Sequence, residues 1–304
     1  MKILLTGPTG FIGSAFARLA LQQGHGLAGL VIPSETIPPD LIAAGSPVWL
    51  RGTLSEPPWK EIAAFKAEVC VHTAWITAPG VYLESPENLA FLEASVKFLR
   101  QLREFGTRHI LALGTCIEYQ SSHQPLREDT SPVIPATTYA RCKNELRLKL
   151  EADAKADDFR FCWGRVFYPY GPREHPSRLC SSIIQKLSRG EKLVLKTPRS
   201  TKDYIYIEDL AAAVLLLVEK QFHGTINLGT GIAVTVKEIA GQLGEIMGKP
   251  ELIEENNQSA VDPLDYVVAD ASRLHSLGWQ PAHDLRRGLE RVVAAKKAAL
   301  TDAR

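Results

Sequence analysis

The sequence has 304 residues, of which 45% are hydrophobic and 23% are charged, and its formal net charge is +1. This length and balance predict a globular protein built as one large domain or as two coupled domains. They give no reason to expect a nucleic acid or an anionic membrane as a partner, and no apolar run reaches the roughly 20 residues that a membrane span needs.

The first predicted element is a short buried strand, Ile3–Thr6, that leads directly into the glycine-rich segment Gly7-Pro-Thr-Gly10-Phe-Ile-Gly13 and then into a helix. Gly7 permits a tight turn, Gly10 lets the backbone approach a pyrophosphate, and Gly13 lets the helix pack closely on the strand. The segment therefore predicts a dinucleotide-binding loop, with a purely structural turn as the alternative. Because the chain enters this strand at once, we expect no signal peptide.

Short apolar runs and helical stretches alternate through the first half of the chain. The apolar runs predict five further strands, at Leu27–Ile32, Val48–Leu50, Val69–Thr73, Ile110–Leu113 and Arg160–Val166. Helices are predicted at Asn88–Phe105 and from Thr137 to about Ala154. In the first of these helices one apolar stripe is formed by Leu89, Leu92, Val96, Leu99 and Leu102. The alternation predicts an α/β fold, a Rossmann-type doubly wound parallel sheet whose ligands bind beyond the carboxyl ends of the strands.

The end of the second strand bears on the choice of cofactor. A carboxylate there would hold the adenosine 2′-hydroxyl of NAD, and an arginine would accommodate the 2′-phosphate of NADP. The sequence has neither in Leu30-Val-Ile-Pro-Ser34. This favours NADP(H) slightly over NAD(H), with Ser34 as a neutral donor, and leaves both open.

The alternation loosens from Phe167 onward, where prolines punctuate the chain. Helix Glu208–Lys220 and strand Thr225–Leu228 predict a return to the sheet. We therefore predict a nucleotide-binding domain of residues 1–166 plus about 207–230, and a smaller C-terminal substrate-binding cap of residues 167–206 and 231–304. Five scattered cysteines without CxxC spacing indicate reduced thiols in a cytoplasmic protein and no metal site.

Tyr139 and Lys143 are four residues apart on a predicted helix, so their side chains share one face. An ammonium beside a phenol favours the phenolate and lowers the pKa of the phenol from its usual value of about 10. Such a tyrosine can move a proton near neutral pH while a hydride arrives at or leaves a carbon that bears oxygen. Thr115, just after the strand Ile110–Leu113, has a hydroxyl that can hold the same substrate oxygen. A solvated helix face is the alternative.

Taken in order along nearly the whole chain, several motifs resemble those of the extended short-chain dehydrogenase/reductases, specifically the nucleotide-sugar epimerase/dehydratase/4-ketoreductase family. These motifs are Gly7–Gly13, Val71–Trp75, Gly114–Tyr119, Tyr139–Lys143, Arg165–Pro172, Lys202–Asp209, Asn227–Gly229 and Leu277–Pro281. The resemblance implies that Thr115, Tyr139 and Lys143 form a catalytic triad. It also implies an NAD(P) cofactor, a nucleotide-diphosphate sugar as substrate, and a homodimer formed by helices 88–105 and 137–154.

The resemblance and the residue types together give two sets of expected contacts. The expected cofactor contacts are Gly7, Thr9, Gly10, Phe11, Ile12, Gly13, Ser34, Thr53, Leu54, Thr73, Ala74, Trp75, Asn88, Tyr139 and Lys143. The expected substrate contacts are Thr77, Glu118, Tyr168, Arg173, His175, Arg178 and Lys202. For Glu118 a structural hydrogen-bond acceptor is the alternative, and His72 is expected to pack or cap.

The chain also departs from the family pattern. Cys116 and Ile117 occupy the places of the Asp-Glu pair with which family dehydratases move protons, so a 4,6-dehydratase is not expected. The usual acid after the third strand is replaced by Thr53, the usual Asn before the Tyr-Gly-Pro motif by Tyr168, and two usual arginines by Lys202 and Ser259. A lysine supplies charge without a bidentate fork, and Arg173, His175 and Arg178 are expected to compensate.

Three functions remain open from the sequence. The favoured one is reduction of a 4-keto-(6-deoxy) nucleotide sugar, in which Tyr139 protonates the oxygen at C4. The second is a nucleotide-sugar 4-epimerase with tightly bound NAD. The third is a cofactor-binding sensor without turnover, which the presence of both Tyr139 and Lys143 disfavours.

Overall fold

The computed structural model describes residues 1–157, 159–255 and 260–301. Its strands are β1 Lys2–Thr6, β2 Gly26–Val31, β3 Val48–Arg51, β4 Val69–His72, β5 His109–Thr115, β6 Arg160–Val166, β7 Tyr168–Tyr170, β8 Leu193–Leu195, β9 Thr201–Tyr206, β10 Gly224–Leu228, β11 Ala233–Thr235, β12 Ile253–Glu255 and β13 Tyr266–Val267. Its helices are α1 Phe11–Gln22, α2 Pro39–Ala43, α3 Trp59–Phe65, α4 Glu87–Glu104, α5 Thr138–Asp157, α6 Leu179–Ser188, α7 Ile207–Glu219, α8 Val236–Met247, α9 Ser272–Ser276 and α10 Leu285–Thr301. Short 3-10 helices span Cys116–Glu118 and Pro250–Leu252.

A seven-stranded sheet has the strand order β10-β6-β5-β4-β1-β2-β3. The strands β1 to β6 pair in parallel. The predicted α/β fold with a Rossmann-type parallel sheet is confirmed. Because the strand order reverses between β1 and β4, the loops after these two strands diverge and leave the crevice in which such sheets bind ligands. The strand β5 is longer than predicted, since its pairing with β6 continues to Thr115.

The central strands β1, β4 and β5 are buried along almost their whole length, as expected for a parallel sheet covered by helices. Helix α4 buries four members of the predicted apolar stripe, Leu92, Val96, Leu99 and Leu102. The fifth member, Leu89, is 54% exposed, so the predicted stripe is wrong at that residue. None of the helices in the described part of the chain is long and apolar enough to span a membrane.

The chain divides into two compact units. The first unit comprises Met1–Gln120, Pro132–Val166 and Ala211–Ile226, and the second comprises Ser121–Ser131, Phe167–Leu210 and the chain from Asn227 onward. Residues 121–131, which the sequence placed with the first domain, belong to the second unit. The main-chain N–H of Leu126 donates to the Val268 carbonyl, and the Asn227 side chain donates to the Leu126 carbonyl. The cofactor and substrate roles of the two units stay predictions.

The second unit has two small sheets of its own. Strand β9 pairs in parallel with β7 and β13 and antiparallel with β11, while β8 pairs in parallel with β12. Helix α8 begins at a capping box in which Thr235 and Glu238 bind each other's main-chain N–H groups. It ends at Gly248, whose φ of 68° is the left-handed conformation that closes many helices.

Candidate functional site

The loop after β1 requires glycine for steric reasons at two positions. Gly7 has a φ of 68°, which a residue with a side chain adopts only with strain. A Cβ atom at Gly13 would lie 2.0 Å from the Gly7 carbonyl oxygen, so the first turn of α1 can approach the loop only without a side chain there. The predicted roles of Gly7 in the turn and Gly13 in close packing are confirmed.

The same loop fits the pyrophosphate of a dinucleotide. Helix α1 begins at Phe11, its N-cap residue Gly10 makes no side-chain cap hydrogen bond, and its first turn contains no acidic residue. The partial positive charge at this helix end is therefore not neutralised by a side chain of the first turn. A Cβ atom at Gly10 would meet no atom closer than the Gly7 carbonyl oxygen at 3.4 Å, so the position is open. Thr9, Phe11 and Ile12 lie in this loop and first turn.

A buried histidine links the ends of β1 and β4. The His72 Nδ1 atom lies 2.9 Å from Thr6 Oγ1, and its Nε2 atom lies 3.1 Å from Ser95 Oγ. Burial lowers the pKa of His72 to about 3, and the charge of Lys143 adds to this shift. The imidazole is therefore neutral at physiological pH and holds two strand ends together, which confirms the expected structural role of His72.

Two predicted cofactor residues, Thr73 and Ala74, adjoin the glycine loop. The Thr73 hydroxyl donates to the Thr6 carbonyl at 2.7 Å, and the Ala74 N–H donates to Thr6 Oγ1 at 3.2 Å. A Cβ atom at Gly7 would lie 3.0 Å from Ala74 Cα, so the two loops are in close contact.

The turn after β2 carries a basic group that the sequence interpretation missed. Arg51, the last residue of β3, donates from Nη1 to the carbonyl oxygens of Ile32 at 3.3 Å and Glu35 at 2.6 Å. Ser34 is exposed in this turn. In the sequence, the arginine that directly follows the predicted strand Val48–Leu50 could have indicated this basic group.

Two further predicted cofactor residues lie in the segment after β3. Thr53 accepts the N–H of Glu56 through its hydroxyl, and Leu54 packs against the hydrophobic core. Both therefore have structural contacts, and their cofactor roles stay predictions.

Tyr139, Lys143 and the end of β5 come together in the first unit. Tyr139 and Lys143 lie one turn apart on α5 and are 8% and 3% exposed. The Lys143 Nζ atom donates to the Leu113 carbonyl at 2.9 Å, two residues before Thr115. It also lies 5.9 Å from the centroid of the Tyr139 ring and 4.0 Å from that of Trp75. A solvated helix face, the alternative for Tyr139 and Lys143, is therefore wrong.

Burial lowers the pKa of Lys143 to about 7, and the negative charge of Glu118 opposes this shift. An ammonium with such a pKa gains and loses its proton near neutral pH. The charge beside Tyr139 is therefore sensitive to small changes in its surroundings.

A buried network of charged and polar groups lies behind Thr115. Glu118 has no exposed surface, and its carboxylate accepts the Thr115 N–H at 2.9 Å and the Arg165 Nε–H at 2.9 Å. The Trp163 indole N–H lies 3.1 Å and 3.2 Å from the two carboxylate oxygens. Arg165 in turn donates to the Tyr119 hydroxyl at 2.9 Å. Both carboxylate oxygens are engaged inside the protein, which supports the alternative of a structural hydrogen-bond acceptor, and a substrate contact of Glu118 stays a prediction.

Gly114 lies against this network. A Cβ atom there would be 2.2 Å from Trp163 Nε1 and 2.5 Å from Glu118 Oε1. The sequence interpretation missed the ion pair. The signal was Arg165 near the end of a strand that has no charged residue from Phe161 to Gly164, since a buried charge requires a partner.

Asn88, an expected cofactor contact, is fully buried. Its amide donates to the carbonyl oxygens of Tyr82 and Ser85, and its Oδ1 accepts the Trp75 indole N–H at 2.8 Å. These polar atoms orient Trp75 and the start of α4, and the cofactor contact of Asn88 stays a prediction. Trp75 is itself buried, and its ring covers Lys143.

The predicted substrate residues of the second unit differ in their surroundings. Lys202 is buried, and its Nζ atom lies 3.0 Å from Asp262 Oδ2 and 5.6 Å from the centroid of the Tyr168 ring. The positive charge of Lys202 is thus already paired, which the sequence did not predict.

The remaining predicted substrate residues lie in loops or at a helix start. Arg173 is exposed with a φ of 72°, and His175 Nδ1 lies 2.8 Å from Ser177 Oγ. Arg178 is the N-cap residue of α6. In the first unit, Thr77 is exposed in the loop after β4. Ser259 lies outside the described residues.

Comparisons with known proteins show which family the chain belongs to. The family model described as "NAD dependent epimerase/dehydratase family" matches residues 3–229. The UDP-glucose 4-epimerase of Corynebacterium glutamicum is 27% identical over 316 residues, which cover 95% of this chain and 94% of the relative.

Two solved structures share the fold. One is the UDP-glucose 4-epimerase of Stenotrophomonas maltophila with bound NAD and formylated UDP-arabinopyranose, with a TM-score of 0.86, 21% identity and complete coverage of both chains. The other is the dTDP-glucose 4,6-dehydratase of Bacillus anthracis in complex with NAD, with a TM-score of 0.84, 20% identity and coverage of 98% of this chain and 97% of that chain. The resemblance expected from the motifs is thus confirmed, and the chain belongs to the NAD dependent epimerase/dehydratase family of extended short-chain dehydrogenase/reductases.

Proposed function

We propose that this chain oxidises and reduces C4 of a nucleotide-diphosphate sugar with a nicotinamide cofactor, and that 4-epimerisation is its net reaction. The observation that carries the proposal is the contact of Lys143, one helical turn from Tyr139, with the Leu113 carbonyl two residues before Thr115. When bound, the nicotinamide would take a hydride from C4 and later return it to the opposite face of the 4-keto sugar.

Residues of the chain would transfer the proton to and from the C4 oxygen. Tyr139 accepts this proton during oxidation and returns it during reduction. Thr115 orients the same oxygen through its hydroxyl. Lys143, when protonated, favours the phenolate of Tyr139. Cys116 and Ile117 cannot transfer protons as an acid pair would, so the proposal excludes loss of water from the sugar.

Two of the similar proteins support epimerisation, rather than the reduction that the sequence favoured. The epimerase of Corynebacterium glutamicum aligns with almost the entire chain, and the similar epimerase structure from Stenotrophomonas maltophila contains NAD. The N-terminus of α1 and the glycine loop of this chain fit a pyrophosphate, which NAD and NADP share.

Net reduction of a 4-keto-(6-deoxy) nucleotide sugar by NADPH is the second candidate. Two features near the end of β2 favour it: no carboxylate ends the strand, and the Arg51 guanidinium binds the turn that contains Ser34. An arginine near this position suits a 2′-phosphate.

Denaturing the purified protein and identifying the nucleotide that it releases would separate the two candidates. Stoichiometric NAD, followed by epimerisation of a UDP-, dTDP-, GDP- or CDP-hexose, would support epimerisation. Protein without bound nucleotide that binds NADPH more tightly than NADH, and reduces a nucleotide 4-keto-6-deoxy sugar, would support reduction. Cofactor binding without turnover of either substrate class would instead support a sensor.

Tyr139→Phe tests the proton transfer directly. We expect the turnover rate to fall by a factor of about 10² to 10⁴, since the ring remains and the proton donor is lost. Tyr266→Phe is the matched control, because this half-buried tyrosine lies outside the predicted site. A Tyr139→Phe protein with undiminished turnover would refute the proposed chemistry.

We also propose a homodimer formed through α4 and α5. These helices pack on each other, and each keeps a large apolar residue in solvent: Leu89 is 54% exposed and Leu148 is 51% exposed. A monomer mass in light scattering at micromolar concentration would refute this assembly.

A further inference from the structure

A fully buried carboxylate, that of Glu118, lies behind the end of β5 and takes no part in the proposed proton transfer. Removing a carboxylate from water is costly unless it is paired and hydrogen-bonded. Here it is both, because it accepts from the Thr115 main chain, the Trp163 indole and the Arg165 guanidinium. An apolar residue would fill the same space without this cost, so the charge calls for an explanation.

Glu118 and Lys143 bind the same short stretch of main chain. Lys143 donates to the carbonyl of Leu113, and Glu118 accepts the N–H of Thr115. The residue between these two bonds is Gly114, and a Cβ atom there would lie 2.5 Å from the Glu118 carboxylate. The end of β5 is therefore fixed at two positions by oppositely charged side chains.

We infer that Glu118 is a positioning residue, whose buried carboxylate fixes the Thr115 main chain and supplies a negative charge that favours the protonated form of Lys143. Arg165 has a supporting role, because its ion pair at 2.9 Å holds the carboxylate in place. The inference rests on the proposed function in one respect, namely that Thr115 and Lys143 act on the substrate.

The groups that face Lys143 decide its charge. Tyr139 lies on the same helix, the Trp75 ring covers the ammonium, and His72 approaches from β4. The imidazole of His72 is neutral at physiological pH because burial lowers its pKa to about 3. Among these groups and Glu118, the Glu118 carboxylate is the one that carries negative charge and opposes the effect of burial on the pKa of Lys143.

Glu118→Gln tests the inference, since glutamine has the same shape without the charge. The probe is protein labelled with isotope-enriched lysine, titrated by NMR, with the Lys143 signal assigned by its loss in Lys143→Met. We expect the pKa of Lys143 to fall by about one pH unit or more, because an opposite charge at close range is lost. Where turnover is measurable, the basic limb of the pH–rate profile should move down by the same amount. An unchanged pKa of Lys143 would overturn the inference.

A double variant, Glu118→Gln with Arg165→Met, separates positioning from a merely structural role. It removes both buried charges, so stability should recover relative to Arg165→Met alone. We expect the pKa of Lys143 to stay below its wild-type value all the same. Recovery of the wild-type pKa together with stability would show that Glu118 only supports the fold, and would overturn the inference.

Asp153→Asn is the control for removal of a carboxylate from the first unit. Asp153 pairs with Arg100 between α5 and α4, and this variant should leave the titration of Lys143 unchanged. The titration needs no substrate, so it tests the inference even if no nucleotide sugar is turned over. Failure of turnover in the wild type would therefore count against the proposed function and leave the lysine result standing by itself.

Discussion

The carboxyl ends of β1 and β5 belong to one parallel sheet and are separated by a single strand, yet different forces hold the loops that follow them. After β1, Gly7 and Gly13 allow backbone to approach backbone, and the neutral His72 ties the strand end to β4. After β5, the charged pair Glu118–Arg165 is buried and binds the main chain.

This difference shows how much of the chain is needed to specify each of the two contacts. The close contact after β1 joins Gly7 and Gly13, which are near neighbours in the chain, so a short motif specifies it. The ion pair after β5 joins residues 47 positions apart, so no short motif contains it. A steric site of this kind depends on local sequence, whereas a buried electrostatic site depends on the fold being complete.

The largest expected effect comes from breaking the buried ion pair between Glu118 and Arg165 after β5. Arg165→Met leaves the Glu118 carboxylate buried without its cation, and we expect the free energy of unfolding to fall by about 3–5 kcal/mol. Urea denaturation followed by circular dichroism would measure the loss. The control Arg100→Met breaks the exposed pair with Asp153 and should cost less than about 1 kcal/mol. Equal losses in the two variants would contradict the view that burial makes the difference.

A smaller loss of stability is expected from adding one methyl group near the carboxyl end of β1 or of β5. Gly13→Ala places a Cβ atom 2.0 Å from a main-chain oxygen, which cannot move without moving the loop, and we expect a loss of about 3 kcal/mol. Gly114→Ala meets the side chains of Trp163 and Glu118, and we expect a loss of about 1–2 kcal/mol.

The control for these two variants is Gly241→Ala. Gly241 lies in α8 with no atom within 4 Å of an added Cβ, so this substitution should stabilise the protein by up to about 1 kcal/mol. Thermal unfolding would rank the three variants. A greater loss for Gly114→Ala than for Gly13→Ala would reverse the comparison between the two strand ends.

The last expected effect concerns the dependence of stability on pH at the carboxyl end of β1. His72 has a pKa of about 3 in the folded protein and about 6.5 when unfolded, so only the unfolded chain binds this proton between those values. Stability must therefore fall as pH falls through this window, by about 2 kcal/mol between pH 6.5 and pH 5. Denaturation at several pH values should show a shallower slope for His72→Asn than for the wild type. Equal slopes would mean that His72 is not the group responsible.

Local patterns predicted most of the first unit. The alternation of apolar runs and amphipathic stretches gave the parallel sheet, because each pattern follows from which faces a strand or helix buries. The four-residue step from Tyr139 to Lys143 gave a shared helix face, and the structure shows both residues buried on α5. The prediction for Leu89 was wrong because helical spacing alone cannot tell whether another element covers that part of the face.

The contacts of polar side chains that the sequence did not predict share a physical cause, because a polar side chain binds whichever partner the fold brings to it. Asn88 binds Trp75 and two carbonyl oxygens, and Lys202 pairs with Asp262, 60 residues away. Neither partner can be identified from spacing. The cofactor and substrate contacts stay predictions for the same reason, because they depend on groups that lie outside the chain.

The five cysteines have a practical consequence for chemical labelling. Cys70, Cys116, Cys142, Cys162 and Cys180 are all buried. Burial raises the pKa of Cys70, Cys142, Cys162 and Cys180, so these four stay in the unreactive thiol form at neutral pH. A single cysteine introduced on an exposed surface would therefore react first with a maleimide dye, and spectroscopic probes can be attached without removing the native thiols.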